Sequence, residues 1–494
     1  MTSRTDIAPD PTAPVKRTRL LIHGEWVNAA DGKEFDVFNP STGEVLCKVA
    51  EAGPEDVDRA VRSAREAFNG PWSVMSPLER SKRLWRLAEL LEENAAEIAR
   101  VETLDQGKPY GLALGGDVPS AANLFYYMSG WATKIEGDVI PISAGSNFHV
   151  YTKREPVGVV GCIVPWNFPL VIAAWKVAPA LAAGNTVILK PAEQTPLTAL
   201  ILGELALEAG IPPGVLNVLP GYGPRAGQAM TEHMGVDKIS FTGSTATGRR
   251  IMDAAKGNLK KLSLELGGKS ANIIFADADI DAAVAGSANG IFFNAGQACA
   301  AGSRLYVHEN VYDEVVAGIA EQARNIRVGD GFDPTSQIGP VVSSTQLERV
   351  QHYLDVGVAE GGRVLTGGAQ IGDTGYYVAP TVFTDVTPND TIVREEIFGP
   401  VVVAQKFSDE DEVIQSANSS QYGLAGGVWT RDISRAHRVA GAFKSGTVWV
   451  NCYQVFDPAM PFGGYKESGW GREMGHEVLH DFTELKTVCI DLGS

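Results

Sequence analysis

From residue 157 onward the chain adopts a rhythm that few folds accommodate: short β-rich apolar runs alternate with longer helical stretches. "VGVVGCIV" precedes the helical "LVIAAWKVAPALAAG". Strand "TVILK", helix "PLTALILGELALEAG", strand "VLNVLP", helix "PRAGQAMTEHMG", strand "DKISFT", helix "TGRRIMDAAKG" and strand "KKLSLEL" follow in turn. Strands separated by helices of this length imply right-handed crossovers and a parallel sheet covered on both faces. Five such strands predict one doubly wound α/β domain. After "GGKS" the alternation restarts with helix "DIDAAVAGSANGIFFNAG", strand "SRLYVHE" and helix "VYDEVVAGIAEQARNIRVG", and it runs on through "TIVREEIFGPVVVAQKF" to "SGTVWVNC". That predicts a second α/β domain. Cys299 then falls on the link between its first helix and its first strand, at the seam of the two domains.

At 494 residues the chain exceeds one hydrophobic core, and ~150 residues per domain suggests about three. Amphipathic patterns between residues 54 and 136, such as "PEDVDRAVRSAREAFNG" and "SPLERSKRLWRLAELLEENAAEIARVETLDQG", predict helices ahead of the first sheet. The opening "MTSRTDIAPDPTAPVKRTRL" is polar, lacks an apolar signal core and reads as a loose arm. The most apolar stretch is interrupted by Lys176 and Pro179, which argues against a membrane span. A formal net charge of −17 argues against general affinity for nucleic acid phosphates. The five cysteines (Cys47, Cys162, Cys299, Cys452 and Cys489) are scattered, without a CxxC pair or a Cys/His cluster. This favours a reduced, cytoplasmic setting and suggests no metal site.

In doubly wound domains ligands sit beyond the carboxyl ends of the strands. "PWNFP", "KPAEQTP" and "FTGSTATGR" follow the first, second and fourth strands. The last places Gly243 and Ser244 at a helix start, where free backbone N–H groups accept phosphate; an ordinary glycine turn is the alternative. Lys190 and Glu193 are either a solvated loop pair or partners of ribose hydroxyls. Glu265, at the end of the fifth strand, either caps a turn or faces the same crevice. Cys299, in "FFNAGQACAAGSRLYV", is flanked by Ala298 and Ala300 rather than the bulky aliphatic residues that surround a space-filling thiol. An unassisted thiol of pKa ~8.5 is only roughly 3% thiolate at pH 7, so a nucleophilic role requires activation.

Together these motifs carry more than any one alone. "VPWNFPL", "KPAEQTP", "FTGSTATG", "LELGGKS", "NAGQACAAGSR", "EEIFGPV" and "PFGGYKESGWGRE" occur in the order and approximate spacing of the NAD(P)-dependent aldehyde dehydrogenase superfamily, which the chain resembles from about Ile22 to Leu485. The resemblance implies that Cys299 is the nucleophile, that Asn167 donates to the oxyanion with the Cys299 backbone N–H, and that Glu265 is the general base. It implies that NAD, or less well NADP, is held by Trp166, Lys190, Glu193, Ser244 (beside Gly243), Glu396 and Phe398. It further implies a dinucleotide-binding domain over residues 1–137 and 157–267, a catalytic domain over 268–473, and a small β module over 138–156 and 474–494 that joins subunits. A homo-oligomer follows, a tetramer rather than a dimer.

The residue types suit this chemistry. A thiolate adds to the aldehyde, preorganised donors hold the alkoxide, and a base activates water for thioester hydrolysis. Rival readings are a coenzyme A-acylating dehydrogenase, a thiol esterase, and a non-catalytic protein on the same scaffold. Glu265 favours water as acceptor, and the dinucleotide motifs would be idle in an esterase. Positions matching the family's substrate tunnel are Phe168, Val171, Trp175, Phe293, Phe456 and Phe462, with Ala298 and Ala300 beside the thiol. Their apolar character suits an aromatic or medium aliphatic aldehyde. "FYYMSGWATKIEGDVIP" and "FDPAMPFGGYKESGWGREMG" are similar to phenylacetaldehyde dehydrogenase-type members. Asp457 is discordant there: it either favours a cationic aminoaldehyde or faces water.

Overall fold

The computed structural model describes residues 10–144 and 147–493. The start of the expected N-terminal arm, two residues of the expected β module and the last residue lie outside that range.

All five strands expected in the first sheet form, and all run parallel. Their spatial order is Leu216–Val218, Thr186–Lys190, Val159–Ile163, Lys238–Thr242, Lys261–Glu265. Every residue of Val159–Ile163 and of Thr186–Lys190 is buried, as a sheet covered on both faces requires. The chain travels outward from Val159–Ile163 in one direction, then returns to its other side with Lys238–Thr242. The reversal puts a crevice beside the Val159–Ile163 carboxyl end. Three short strands extend the sheet beyond what the alternation predicts. Leu20–Ile22 and Glu25–Val27 form a hairpin on one edge, and Gly469–Trp470 pairs antiparallel with Lys261–Glu265 on the other. The latter ties the C-terminal part of the chain to the first sheet.

The second sheet has seven strands, in the order Arg363–Thr366, Thr381–Thr384, Val401–Phe407, Arg304–His308, Ala271–Ile274, Ala425–Trp429, Thr447–Val450. Only the first is antiparallel to its neighbour. Ala271–Ile274 is absent from the sequence reading, because four residues after two glycines give too little pattern to separate from a loop. Cys299 therefore links the first helix, Ile280–Phe292, to the second strand of this sheet, Arg304–His308.

Two helix expectations also change. The long pattern at 76–107 is two helices, Pro77–Glu93 and Ala95–Gln106, parted at Asn94. Ser76 starts the first of them: its Oγ accepts from the Glu79 N–H while the Glu79 carboxylate accepts from the Ser76 N–H. The stretch "PRAGQAMTEHMG" opens as a π-helical turn, Gly223–Gly227, before Gln228–Glu232. Phe148–Pro156 and Thr483–Asp491 pair antiparallel along their full length as a separate two-stranded ribbon.

Candidate active site

Cys299 lies where two cavities meet. One, of about 230 Å³, is lined by Trp166, Asn167, Gly243, Ser244, Glu396 and Phe398 together with the thiol. The other, of about 490 Å³, is lined by Glu265, Phe168, Val171, Trp175, Phe293 and the alanines flanking the same thiol. Phe456, Asp457 and Phe462 complete its far wall. Lys190 and Glu193 do not line either space; they stand at the carboxyl end of the neighbouring strand, Thr186–Lys190.

The loop bearing Cys299 is held by backbone geometry and buried amides. Asn294 and Ala295 both have φ near +50° (51° and 54°), a left-handed conformation that costs a residue with a Cβ. Side-chain bonding holds Asn294 there. Asn294 Nδ2 donates to the Asn167 carbonyl at 2.9 Å and to the Gln297 carbonyl at 3.3 Å, and Asn167 Nδ2 donates to the same Gln297 carbonyl at 2.9 Å. Gln297 Oε1 accepts from the Val342 N–H at 2.9 Å. Asn167, Asn294 and Gln297 are all buried, and a satisfied buried amide network fixes orientation. Glycine is required at Gly268, where a Cβ would collide with the Cys299 carbonyl oxygen; at Gly267 a Cβ would displace the Glu396 carboxylate.

Burial shifts both acid–base groups. It pushes the Cys299 thiol up to about 12, with the carboxylates of Glu396 and Glu265 adding to it and the backbone N–H groups of Ala300 and Cys299 opposing it. Glu265 is buried, and neither carboxyl oxygen has a hydrogen-bond partner among the described residues. Desolvation, then the charge of Glu473, holds its carboxyl well above the usual carboxylate range. Glu473 in turn is paired with the buried Lys176 ammonium at 2.5 Å. In the smaller cavity, burial raises Glu396 to about 7, opposed by the Gly268 N–H that donates to it at 3.0 Å. Phe398 takes a φ of +61° and meets Trp166 edge-on, ring centroids 5.2 Å apart.

In the larger cavity Phe168 and Phe293 stack at 5.9 Å, while Trp175, Phe456 and Phe462 form a triangle of rings 5.5–6.1 Å apart. Asp457 is exposed at the rim, and its Oδ1 accepts from the Ala459 N–H at 2.8 Å. That bond makes it a turn former, whatever else it does.

The smaller cavity fits the nicotinamide end of a dinucleotide. Ser244 caps helix Thr245–Ala255 with its Oγ, and Gly243 leaves no room for a Cβ against the Phe241 ring. Burial lowers Lys190 to about 8; its Nζ donates to the Pro191 and Gly221 carbonyls and stands 3.9 Å from the less buried Glu193. Among the described residues no cluster of three His, Cys, Asp or Glu side chains is arranged to hold a metal ion, and no helix is long and apolar enough to cross a membrane.

Comparison with known proteins fits this geometry. The description "Aldehyde dehydrogenase family" matches residues 26–488. The chain belongs to the aldehyde dehydrogenase family. It is 52% identical to aldehyde dehydrogenase family 2 member B4, mitochondrial, of Arabidopsis thaliana, over 98% of this chain and 90% of that protein. It is 48% identical to human retinal dehydrogenase 2, over 98% of this chain and 94% of the relative. The NAD+ complex of the aldehyde dehydrogenase from Bacillus cereus superimposes with a TM-score of 0.95 at 49% identity, covering 97% of each chain.

For a member of the aldehyde dehydrogenase family, this chain has several lining residues that the sequence reading missed. Gln346 and Arg349 reach the smaller cavity and donate to the carbonyls of Phe398 and Glu396, at 2.7 and 2.5 Å. Asp117, Ser120, Asn123, Asn289 and Gln454 give the larger one a polar side. None sits in a motif; the packing of helix Val118–Trp131 against Pro169–Ala182 brings Ser120 and Asn123 there, and Asp117 stands just before that helix. Asn294 and Gln297 stood inside the motif that was read, but nothing in their spacing distinguishes a loop brace from a surface amide.

Proposed function

We propose that this enzyme oxidises an apolar aldehyde, aromatic or medium aliphatic, to the carboxylic acid with NAD as acceptor. The observation that supports the reading is that Cys299 lines both cavities, so one residue faces a dinucleotide-compatible space and an aromatic-walled space at once. Cys299 attacks the aldehyde carbon, and Asn167 with the Cys299 N–H stabilises the resulting alkoxide. Bound NAD supplies the hydride acceptor. Glu396 and Lys190 with Glu193 orient the riboses, Ser244 beside Gly243 meets the pyrophosphate with Trp166 near it, and Phe398 stands beside the nicotinamide. Glu265 takes the proton of the water that hydrolyses the thioester, since a buried carboxyl without hydrogen bonds is a stronger base than an exposed one. With its thiol pushed up to about 12, Cys299 also needs a proton acceptor before attack, and Glu265 is a buried carboxylate without hydrogen-bond partners among the described residues that lines the same cavity. Phe168, Val171, Trp175, Phe293, Ala298, Ala300, Phe456 and Phe462 contact the aldehyde, with Asp457 at the mouth.

In this reading residues 1–137 and 157–267 bind cofactor, 268–473 carry the chemistry, and 138–156 with 474–494 join subunits, in a tetramer. The ribbon of Phe148–Pro156 and Thr483–Asp491 supports the last point. It exposes Phe148, Leu485 and Ile490, and a lone two-stranded ribbon is marginal without a partner. Free cysteines at all five positions suit a reducing cytoplasm. Mixing the protein with phenylacetaldehyde and NAD, with and without coenzyme A, tests the function. NADH formation independent of coenzyme A is expected; an absolute need for coenzyme A, or ester cleavage alone, would replace the reading with the acylating or esterase one.

A further inference from the structure

The aldehyde cavity has a second layer that the proposed mechanism does not use. Over the Phe168 ring, which also stacks on Phe293, lies the ammonium of Lys108, with Nζ 4.4 Å from the ring centroid. Lys108 is 2% exposed. It is paired with Glu102 Oε1 at 3.1 Å and with the Asp117 carboxylate, both buried. Burial works against this charge, but Asp117 and Glu102 outweigh it and hold the ammonium above the ordinary lysine range. Asp117 ends the π-helical turn Ala113–Asp117 and lines the aldehyde cavity itself; such turns re-aim side chains within a helix.

The same segment reaches the catalytic loop a second way. Gln106 Oε1 accepts from the Lys108 N–H at 3.0 Å, and Gln106 Nε2 donates to Asn294 Oδ1 at 3.2 Å. Asn294 is the residue whose amide holds the Asn167 carbonyl. Gly107, between the two, has a φ of +91°, and a Cβ there would strike Pro40 and Pro340. The segment Gln106–Lys108 is thus clamped and contacts both Phe168, next to Asn167 in the chain, and Asn294, which donates to the Asn167 carbonyl.

Resting on the function proposed above, we infer that Lys108 is a positioning residue for the aldehyde: its ammonium fixes the Phe168 ring, and the stacked Phe168–Phe293 wall then orients an aromatic substrate at Cys299. A desolvated cation over a ring face is a strong contact, and it is aimed at a ring that lines the cavity.

Lys108→Met keeps the aliphatic stem and removes the charge. It should raise KM for phenylacetaldehyde about 10-fold while leaving KM for NAD unchanged, and it should weaken phenylacetate binding by calorimetry to a similar extent. Because that variant strands two buried carboxyls, the neutral set Glu102→Gln, Lys108→Met, Asp117→Asn is the companion, and the same loss is expected from it. Phe168→Leu leaves the ion set whole and should lose a comparable affinity; adding Lys108→Met to it should cost little more. Wild-type phenylacetate affinity in the neutral set or in Phe168→Leu overturns the inference. So does an undiminished Lys108→Met effect in the Phe168→Leu background, or an equal loss for NAD and aldehyde. The calorimetric arm needs no turnover, so a wild-type protein that bound phenylacetate but made no NADH would refute the function while the Lys108 result still stood.

Discussion

The two sheets contribute to one site from opposite ends of their strands. In the first, the functional loops follow the strands: Trp166 and Asn167 come after Val159–Ile163, Lys190 closes Thr186–Lys190, and Gly243 with Ser244 comes after Lys238–Thr242. In the second, three loops precede theirs. Gly267 and Gly268 lead into Ala271–Ile274, Cys299 into Arg304–His308, and Glu396 with Phe398 into Val401–Phe407. The first arrangement obeys the rule that open α/β sheets bind ligands beyond strand carboxyl ends; the second does not. A sheet can place chemistry at its amino ends when another domain supplies the ligand crevice, because its own loops then need only reach the seam. In the proposed function the contrast separates tasks: loops of the first sheet hold most of the cofactor, with Glu396 and Phe398 added from the second, and the second sheet presents the thiol.

The most severe test of that separation is Cys299→Ala. Aldehyde oxidation should fall by at least about 10⁴-fold, as for loss of other nucleophiles, while calorimetric NAD affinity stays near wild type. Loss of NAD binding as well would erase the division between the sheets.

Glu265→Gln comes next, because Glu265 ends a first-sheet strand yet lines the same cavity as the second sheet's thiol. Steady-state turnover should drop roughly 10²–10⁴-fold, and stopped-flow absorbance should keep a burst approaching one NADH per site, with an acyl adduct on Cys299 by mass spectrometry. Absence of both would move Glu265 to the earlier step of thiol deprotonation. The wild-type rate should also fall as pH drops through the raised carboxyl value, since only the carboxylate accepts a proton, and the glutamine variant should lack that acid limb.

Cofactor choice is a smaller effect confined to the first sheet. Replacing Glu193 by Gln removes the charge that a 2′-phosphate would meet, and the NAD-to-NADP ratio of kcat/KM should narrow by about 10-fold. An unchanged ratio would assign discrimination elsewhere.

The smallest effect is on stability. Glu265 has its carboxyl raised by burial in the folded state, so the folded chain binds that proton more tightly than the unfolded chain. Its neutral form is tolerated at low pH, and stability is lost as pH rises through the raised value. Thermal midpoints of Glu265→Gln and wild type should coincide near about pH 3, below the unfolded carboxyl value, and the variant should become the more stable as pH rises from there to the raised value. A gain at low pH instead would mean that the cost is steric.

Much of this was legible in sequence because it is local. Alternation of "TVILK" with "PLTALILGELALEAG" reports burial of a strand on both faces, and the five parallel strands followed from it. The small residues around Cys299 reported an open space. By contrast, Gly469–Trp470 completes a sheet whose other strands lie far back in the chain, and "GW" carries no strand pattern. Ala271–Ile274 was missed because four residues are too few for a period.

What the sequence determined by itself is the α/β class, the five-strand parallel core and a thiol set among small residues, since each depends on side-chain type at short spacing. Only the tertiary structure decided that Cys299 stands between two cavities and that Asn294 braces Asn167. It alone put the Lys108 ammonium over Phe168, and Glu473 close enough to help raise Glu265. These are matters of desolvation and of charges from distant segments. Both depend on what surrounds a group in space, and a linear sequence orders neighbours only along the chain.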